Sequence, residues 1–144
     1  MNEPRTARST AEMPDPRSPA VDLAPYQCWT RLRTSRTGRI VTMHAGRIEV
    51  RPLNYVADGH SIVVQTSSEV VLAAAADRRP VVFEVDEHDG WSVWSVVVRG
   101  TASVMDEDEL MDGAHLRSML AVTNGTRVRI HPDEVTGRLF DQAP

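Results

Sequence analysis

Residues 38–66 read GRIVTMHAGRIEVRPLNYVADGHSIVVQT, and this stretch decides the fold class. Apolar and polar side chains alternate in three of its segments, which is the period of a half-buried β-strand. The segments are residues 39–43, 47–51 and 61–66. Ala45-Gly46 separates the first two segments and Ala57-Asp58-Gly59 precedes the third, and both are typical turn sequences. The stretch therefore predicts three antiparallel strands that follow one another as a meander.

Helical and strand patterns continue on both sides of this meander. Apolar residues at helical spacing predict short helices over residues 26–35 and 69–76, and Ser67 or Ser68 can cap the second of these. A last helix is predicted to begin at Asp106. Further strands are predicted over residues 81–85, 91–104 and 126–130. This order predicts a mainly β fold, a six-stranded antiparallel β-barrel with α-helices over its ends.

One domain accounts for most of the 144 residues, since a chain of this length buries a single core. Residues 1–25 are rich in proline, which interrupts any periodic pattern, and they are predicted to form a flexible N-terminal tail. The barrel domain is expected over residues 26–140. A short C-terminal tail, residues 141–144, follows it.

Composition excludes several classes of function. The net charge of -4, from 20 acidic and 16 basic residues, provides no basic surface for nucleic acid. Every one of those basic residues is arginine, so chemistry that needs a lysine Schiff base is excluded. The longest apolar run, residues 70–76, is far shorter than the roughly 20 residues that span a bilayer. With Cys28 as the one cysteine and no secretory signal pattern, a cytoplasmic protein without disulfides is expected.

Side chains that bind metals or perform acid–base chemistry form no recognisable motif. Residues 86–89, Asp-Glu-His-Asp, are read as a solvated hairpin loop, because consecutive residues rarely converge on one ion. The chain has no Gly-x-Ser-x-Gly elbow and no glycine-rich phosphate loop. No metal site and no catalytic residue are therefore assigned.

Four stretches of the chain form a pattern that occurs together in one known family. They read RPLNYV at residues 51–56, FEVD at 83–86, WSVVVRG at 94–100 and IHPDEVTGRLF at 130–140. In this order and spacing they resemble the actinobacterial type of pyridoxamine 5'-phosphate oxidase-like proteins, which are FMN-binding split barrels. The resemblance covers most of residues 26–140 and implies a flavin-reductase-like split β-barrel. It also implies a homodimer that binds FMN or the deazaflavin F420 at the subunit interface.

The same resemblance implies two groups of cofactor contacts. The flavin ring would lie against the second strand at Pro52, Leu53 and Asn54, and against the start of the fifth strand at Trp94 and Ser95. Asn54 and Ser95 offer polar groups to the edge of the heterocycle, and Trp94 can cover its apolar face. Trp94 is equally read as a core aromatic. The cofactor phosphate would lie near the end of the third strand and the start of the next helix, at Gln65, Thr66, Ser67 and Ser68.

The phosphate-binding part of the family pattern is degenerate in this chain. The family has Arg-Thr at the end of the third strand and Gly-Thr-Lys at the next helix, whereas this chain has Gln65-Thr66 and Glu69-Val70-Val71. A helix N-terminus favours phosphate. A Glu69 carboxylate about 5 Å away opposes it, by about 3 kcal/mol per unit of negative charge at an effective dielectric of 20. A replacement cation has to come from elsewhere in the chain, and the candidates are Arg51, Arg99, Arg127 and Arg129.

Two functions are compatible with the sequence. One is a flavin- or deazaflavin-dependent oxidoreductase-like homodimer that transfers hydride to a small acceptor. The other is a cofactor-free dimer of the same fold that acts as a binding or regulatory protein. The residues that favour it are Gln65, Glu69, Val70 and Val71. A visible absorption spectrum distinguishes them, because a bound flavin absorbs where protein alone does not.

Overall fold

The computed structural model describes residues 20–106 and 125–141. Two helices and seven strands lie in these residues. The helices are Pro25–Thr34 (α1) and Glu69–Ala76 (α2). The strands are Ala20–Leu23 (β1), Thr37–His44 (β2), Arg47–Asp58 (β3), Ser61–Thr66 (β4), Pro80–His88 (β5), Ser92–Val104 (β6) and Thr126–Asp141 (β7).

Six of these strands close into an antiparallel barrel. They follow the order β7-β4-β3-β2-β5-β6, and the barrel closes because β6 also pairs with β7. Along its other edge β7 pairs with β4 over residues 126–130 and with β1 over residues 137–140. The mainly β class and the antiparallel split barrel predicted from the sequence are confirmed.

Strand β1 lies where the sequence predicted only a flexible tail. Its register runs from Ala20 opposite Phe140 to Leu23 opposite Gly137. Four residues between prolines carry no readable period, so this strand depends on its backbone hydrogen bonds to β7. The remaining tail predictions, on residues 1–19 and 142–144, lie outside the described residues. The helix predicted to begin at Asp106 falls on residues 107–124, which also lie outside them.

Strands β3 and β7 both run past the prolines near which their predicted segments ended. β3 continues through Pro52 because it pairs only with β2 there, and an open edge does not need the missing N–H. β7 continues through Pro132 by means of a register shift against β6 at Gly100. A Cβ atom on Gly100 would lie 2.1 Å from the carbonyl oxygen of His131, so the close approach requires glycine.

The barrel interior is an apolar core that both helices cover. α1 packs against β3, β6 and β7, and α2 packs against β2, β6 and β7. The Tyr55 hydroxyl donates a hydrogen bond of 2.7 Å to the Leu32 carbonyl, which ties β3 to α1. Burial raises the pKa of Tyr55, so its hydroxyl stays protonated. Burial likewise raises the pKa of the Cys28 thiol, in keeping with a structural role.

Strands β3 and β4 separate at one point, which creates the split in the barrel. Their ladder runs from Asp58 opposite Ser61 to Tyr55 opposite Val64. On the far side of the last pair, β3 pairs only with β2 and β4 pairs only with β7. The two strands therefore diverge between Asn54 and Gln65, and this split positions the candidate site.

Candidate functional site

A row of polar side chains crosses the outer face of the barrel at the split. It consists of Thr37 on β2, Asn54 on β3, Gln65 on β4 and Arg127 on β7, and we call it the polar row. Thr37 lies opposite Asn54 and donates from Oγ1 to Asn54 Oδ1 at 3.0 Å. Gln65 lies opposite Arg127, whose Nε donates to Gln65 Oε1 at 3.2 Å.

The polar row faces outward because its neighbours along the strands face inward. Tyr55 follows Asn54 and Val64 precedes Gln65, and both Tyr55 and Val64 belong to the buried core. Successive side chains of a strand point to opposite faces, so Asn54 and Gln65 point away from the core. Asn54 is exposed and Gln65 is half-buried. The row is therefore accessible to a ligand on the outer surface.

Helix α2 begins directly beside the polar row, and hydroxyl groups cap it. Thr66 Oγ1 accepts a hydrogen bond of 3.0 Å from the Ser68 amide, and Ser68 Oγ accepts one of 3.4 Å from the Val71 amide. Thr66 is buried, whereas Ser67 is exposed. Two of the hydroxyls predicted to face an anion thus satisfy the helix backbone. Ser67 and the positive end of the helix dipole face the solvent beside the row.

Gly125 presses the start of β7 against the link between β4 and α2. A Cβ atom on Gly125 would lie 2.2 Å from the Thr66 carbonyl oxygen and 2.7 Å from the Ser67 amide nitrogen. Its φ of +121° also favours glycine. This close approach fixes where β7 begins, and so fixes Arg127 two residues later beside Gln65.

The four arginines left open by the sequence occupy different places. Arg129 donates to Asp58 at 2.9 Å and to Ser61 at 2.6 Å, within a largely buried cluster. Arg51 pairs with Glu49 on its own strand at 2.9 Å, and Arg99 lies 3.8 Å from Glu134. Among the four, Arg127 is the one whose guanidinium is bonded to Gln65. The structure therefore brings a cation to the polar row on the strand next to β4.

The predicted contacts on β3 and β6 lie in different surroundings. Pro52 is exposed beside Asn54, whereas Leu53 packs against the core. Trp94 is 8% exposed and belongs to the core cluster, while Ser95 is half-buried. Asn54 and Ser95 are separated by three strand spacings, roughly 14 Å, along the order β3-β2-β5-β6. One copy of the chain therefore does not bring Ser95 next to the polar row.

A charged cluster lies on the outer face between these two places. Arg39 on β2 donates to the carboxylates of Glu84 and Asp86 on β5, the latter at 2.9 Å. Burial raises the pKa of Glu84, and a hydrogen bond from the Glu84 carboxyl lowers the pKa of Asp86. The guanidinium and the two carboxylates thus form one ion-pair cluster that joins β2 to β5.

The outer face of β2, β3 and β5 also carries exposed apolar side chains. Ile48 is 71% exposed, Met43 50% and Val50 48%. Ile48 and Met43, together with Val41 and Val82, border an open groove of ≈ 400 Å³, and Val50 lies opposite Val41 beside it. We call these five residues the apolar face. A face of this kind on a barrel exterior marks a surface for association.

Comparison with known proteins identifies the family of the chain. The family model described as pyridoxamine 5'-phosphate oxidase matches residues 25–139. The chain belongs to the pyridoxamine 5'-phosphate oxidase family. The resemblance predicted from four short stretches is confirmed.

Several known proteins are similar to the chain along most of its length. A FAD binding protein from Mycobacterium smegmatis is 31% identical with a TM-score of 0.65, over 84% of this chain and 98% of its own. A protein of Mycobacterium tuberculosis is 30% identical over 92 residues, 62% of this chain and 84% of its own. A FAD-binding protein from Mesorhizobium loti is 24% identical with a TM-score of 0.70, over 85% of this chain and 98% of its own, and it shows the shared fold.

Residues 69–71 stand where the family pattern has Gly-Thr-Lys, and they lie in different environments in this structure. Val71, which stands where the pattern has lysine, is fully buried in the core, and Val70 is 7% exposed. A lysine at Val71 would bury its charge, so this position cannot regain the cation without loss of stability. Glu69 is exposed in the first turn of α2, beside the polar row.

The described residues contain no group of three His, Cys, Asp or Glu side chains placed to hold a metal ion. Neither described helix is long and apolar enough to cross a membrane.

Proposed function

We propose that the protein binds a flavin nucleotide, with FMN as the first candidate, between two copies of the chain and acts as a flavin-dependent oxidoreductase. The observation that carries this proposal is the polar row at the barrel split, with Arg127 at its β7 end and the start of α2 beside it. Family membership supports it, since a relative that is 31% identical is a FAD binding protein.

The residues at the split fit the two ends of a flavin nucleotide. Arg127, the exposed Ser67 and the N-terminus of α2 suit a phosphate, because all three present donors or positive potential. Asn54, beside the exposed ring of Pro52, suits the polar edge and flat face of a heterocycle. A bound flavin would supply the hydride transfer. The chain would then bind and orient the flavin and exclude water from it.

The apolar face supplies the reason for two copies. Ile48, Met43 and Val50 are large apolar side chains on a barrel exterior, where contact with a second copy would remove them from water. Pairing would also add a second set of outer-face residues to each groove. Ser95, roughly 14 Å from Asn54 within one copy, would join the site in this way from the partner.

Spectroscopy of the full chain tests the proposal. Purified without denaturation, or mixed with FMN or FAD and then desalted, the protein should show the visible absorption bands of flavin. FMN fluorescence should be quenched in a saturable titration, and parallel titrations with FAD and with the deazaflavin should rank the three ligands. A colourless protein that leaves the fluorescence of FMN and FAD unchanged would contradict the proposal.

Glu69→Gln should tighten FMN binding. An exposed carboxylate about 5 Å from a phosphate opposes it by about 1 kcal/mol per charge in water-like surroundings, so removal is expected to raise the affinity roughly 5- to 10-fold. Asp77→Asn removes the same charge at the other end of α2 and serves as the control. Equal effects of the two substitutions on FMN affinity would argue that Glu69 does not face the phosphate.

Ile48→Glu should separate the two copies. A carboxylate at the most exposed residue of the apolar face would have to lose its water in the interface. Light scattering is expected to give twice the chain mass of 16.0 kDa for the wild type and the single mass for the variant. Val21→Glu, on exposed β1, should leave the dimer intact. A dimer that survives Ile48→Glu would place the interface elsewhere.

A cofactor-free dimer with a binding or regulatory role is the second candidate. Buried Val71 and exposed Glu69 favour it, because they replace a cation and a small neutral residue of the family pattern. Under this hypothesis the titrations show no flavin binding while light scattering still shows a dimer. The two measurements together therefore separate the candidates.

A further inference from the structure

A cleft of ≈ 520 Å³ lies on the outer face of the barrel, where β7 runs between β1 and β6. Charged and hydroxyl side chains from all three strands line it, and we call it the β7 cleft. They are Asp22 on β1, Arg99 on β6, and Glu134, Thr136 and Arg138 on β7. We propose that the β7 cleft binds a small zwitterion of the α-amino-acid class, whose carboxylate contacts Arg138 and whose ammonium group contacts Asp22. The cleft lies within one copy of the chain, so this inference does not depend on the proposed flavin site.

Arg138 and Asp22 are neighbours whose charges are available to a ligand. They lie directly opposite each other in the β1–β7 ladder, so their side chains share one face of the sheet with Cβ atoms about 5 Å apart. Both residues are exposed. Neither side chain forms a hydrogen bond or an ion pair, with the other or with any further residue that the structure describes. A ligand therefore does not have to break an existing interaction to reach either charge.

The presence of both signs of charge favours a ligand that also carries both. An anion bound at Arg138 alone would lie beside the Asp22 carboxylate, and a cation bound at Asp22 alone would lie beside the Arg138 guanidinium. Like charges at such a distance repel, which weakens both kinds of ligand. An α-amino acid has its ammonium and carboxylate groups on one carbon atom, so each can contact the opposite charge of two adjacent side chains.

The rest of the β7 cleft offers polar contacts to the side chain of such a ligand. Alternate residues of a strand share a face, so Glu134, Thr136 and Arg138 follow one another over about 14 Å. Thr136, in the middle, is exposed. At the far end Arg99 lies 3.8 Å from Glu134, and their side chains are 53% and 58% exposed. An ion pair of this length and exposure contributes little, so it can open towards a polar group.

The backbone between Thr136 and Arg138 is fixed by close contact. A Cβ atom on Gly137 would lie 2.7 Å from Cys28 Sγ on α1 and 3.0 Å from Leu23 Cδ1 on β1. Only glycine allows β7 to pack this tightly beneath the cleft. Arg138 is therefore presented from a rigid strand, which lowers the entropic cost of binding a ligand.

Titration of the full chain with free amino acids tests the inference. The probes are the standard L-amino acids, with acetate and methylamine as ligands of a single charge, and ligand-observed NMR measures their binding. At least one amino acid with a polar side chain should bind at millimolar concentration. Acetate and methylamine should bind at least about 10-fold more weakly, because each lacks one charge-assisted hydrogen bond.

Variants of the two exposed charges locate the site. Arg138→Gln and Asp22→Asn should each weaken the best amino acid about 10- to 100-fold, the value of one charge-assisted hydrogen bond. Arg47→Gln, at the β2–β3 turn, and Asp77→Asn, at the end of α2, remove the same charges from other exposed places and should leave binding unchanged. Thermal denaturation should give the wild-type midpoint for all four variants, since none of the four side chains is buried.

Three results would overturn the inference. The first is a wild-type chain that binds no standard amino acid at millimolar concentration. The second is acetate or methylamine bound as tightly as the best amino acid, because a single charge would then suffice. The third is a loss of affinity in Arg138→Gln and Asp22→Asn no larger than in their controls, which would place the binding outside the β7 cleft. Flavin titrations are separate measurements, so the proposed function stands or falls independently of all three.

Discussion

Asp58→Ala is expected to lower the free energy of unfolding by about 3–5 kcal/mol. Asp58 and Arg129 form an ion pair of 2.9 Å whose side chains are 8% and 11% exposed. Removal of the carboxylate takes away the charge that lies 2.9 Å from the largely buried Arg129 guanidinium. Ser61 donates its hydroxyl to the Asp58 carbonyl and accepts from Arg129, but a neutral hydroxyl does not replace the lost charge. The β3–β4 turn and β7 should both lose stability, because the pair links them.

Urea denaturation followed by circular dichroism measures this loss. Asp77→Ala is the matched control, since the exposed pair of Asp77 and Arg79 should contribute at most about 1 kcal/mol. The double variant Asp58→Ala/Arg129→Met removes both charges and should recover much of the loss, as buried pairs replaced by apolar residues often do. A single variant as stable as the Asp77→Ala control would show that the buried pair is not a structural link.

Phe83→Ala is expected to cost about 3–5 kcal/mol through the cavity that it leaves. Phe83 is fully buried on β5, and its ring meets the ring of Tyr55 edge-on at 5.1 Å between centroids and 74° between planes. Gly38 on β2 makes room for the ring, because a Cβ atom there would lie 2.6 Å from Phe83 Cζ. The ring thus joins β2, β3 and β5, the strands that carry the apolar face and the Thr37–Asn54 half of the polar row.

Two further variants serve as controls for this prediction. Phe140 is the second of the two phenylalanines and is only half-buried, so Phe140→Ala should cost clearly less. Phe83→Leu retains most of the volume and should also cost less than the alanine variant. Where the dependence of the unfolding free energy on urea concentration is unchanged, the denaturation midpoints give the order of stability of these variants. Equal losses for Phe83→Ala and Phe140→Ala would mean that the barrel interior does not depend on this ring.

The fold was predictable because strand alternation and turn residues are local signals. The two-residue turn at Ala45-Gly46 fixes the register of β2 and β3, so the partnership of Thr37 with Asn54 follows from counting back along both strands. Thr37 was nevertheless missed as part of the site, since its side chain alone carries no functional signal. Strand β1 had no such local signal, and it forms because β7 offers a free edge beyond β4.

The decisive contact of the site was beyond the reach of local signals. Gln65 and Arg127 are 62 residues apart in sequence, and their pairing depends on the register of β7 against β4. The sequence therefore named Arg127 only as one of four candidates. Trp94 posed a different problem, since a tryptophan at a strand start suits a core and a ligand cover equally. Its position in the core cluster favours the first role within one copy of the chain.

Native mass spectrometry of the FMN-loaded full chain tests the central claim most directly, because one spectrum counts both chains and ligands. The proposed function predicts a principal species with the mass of two 16.0 kDa chains and two flavin molecules. The spectrum of Arg127→Gln should keep the mass of two chains but lose the mass of the flavin molecules. A wild-type spectrum that holds only chain mass, whether single or double, after incubation with FMN and with FAD would contradict it.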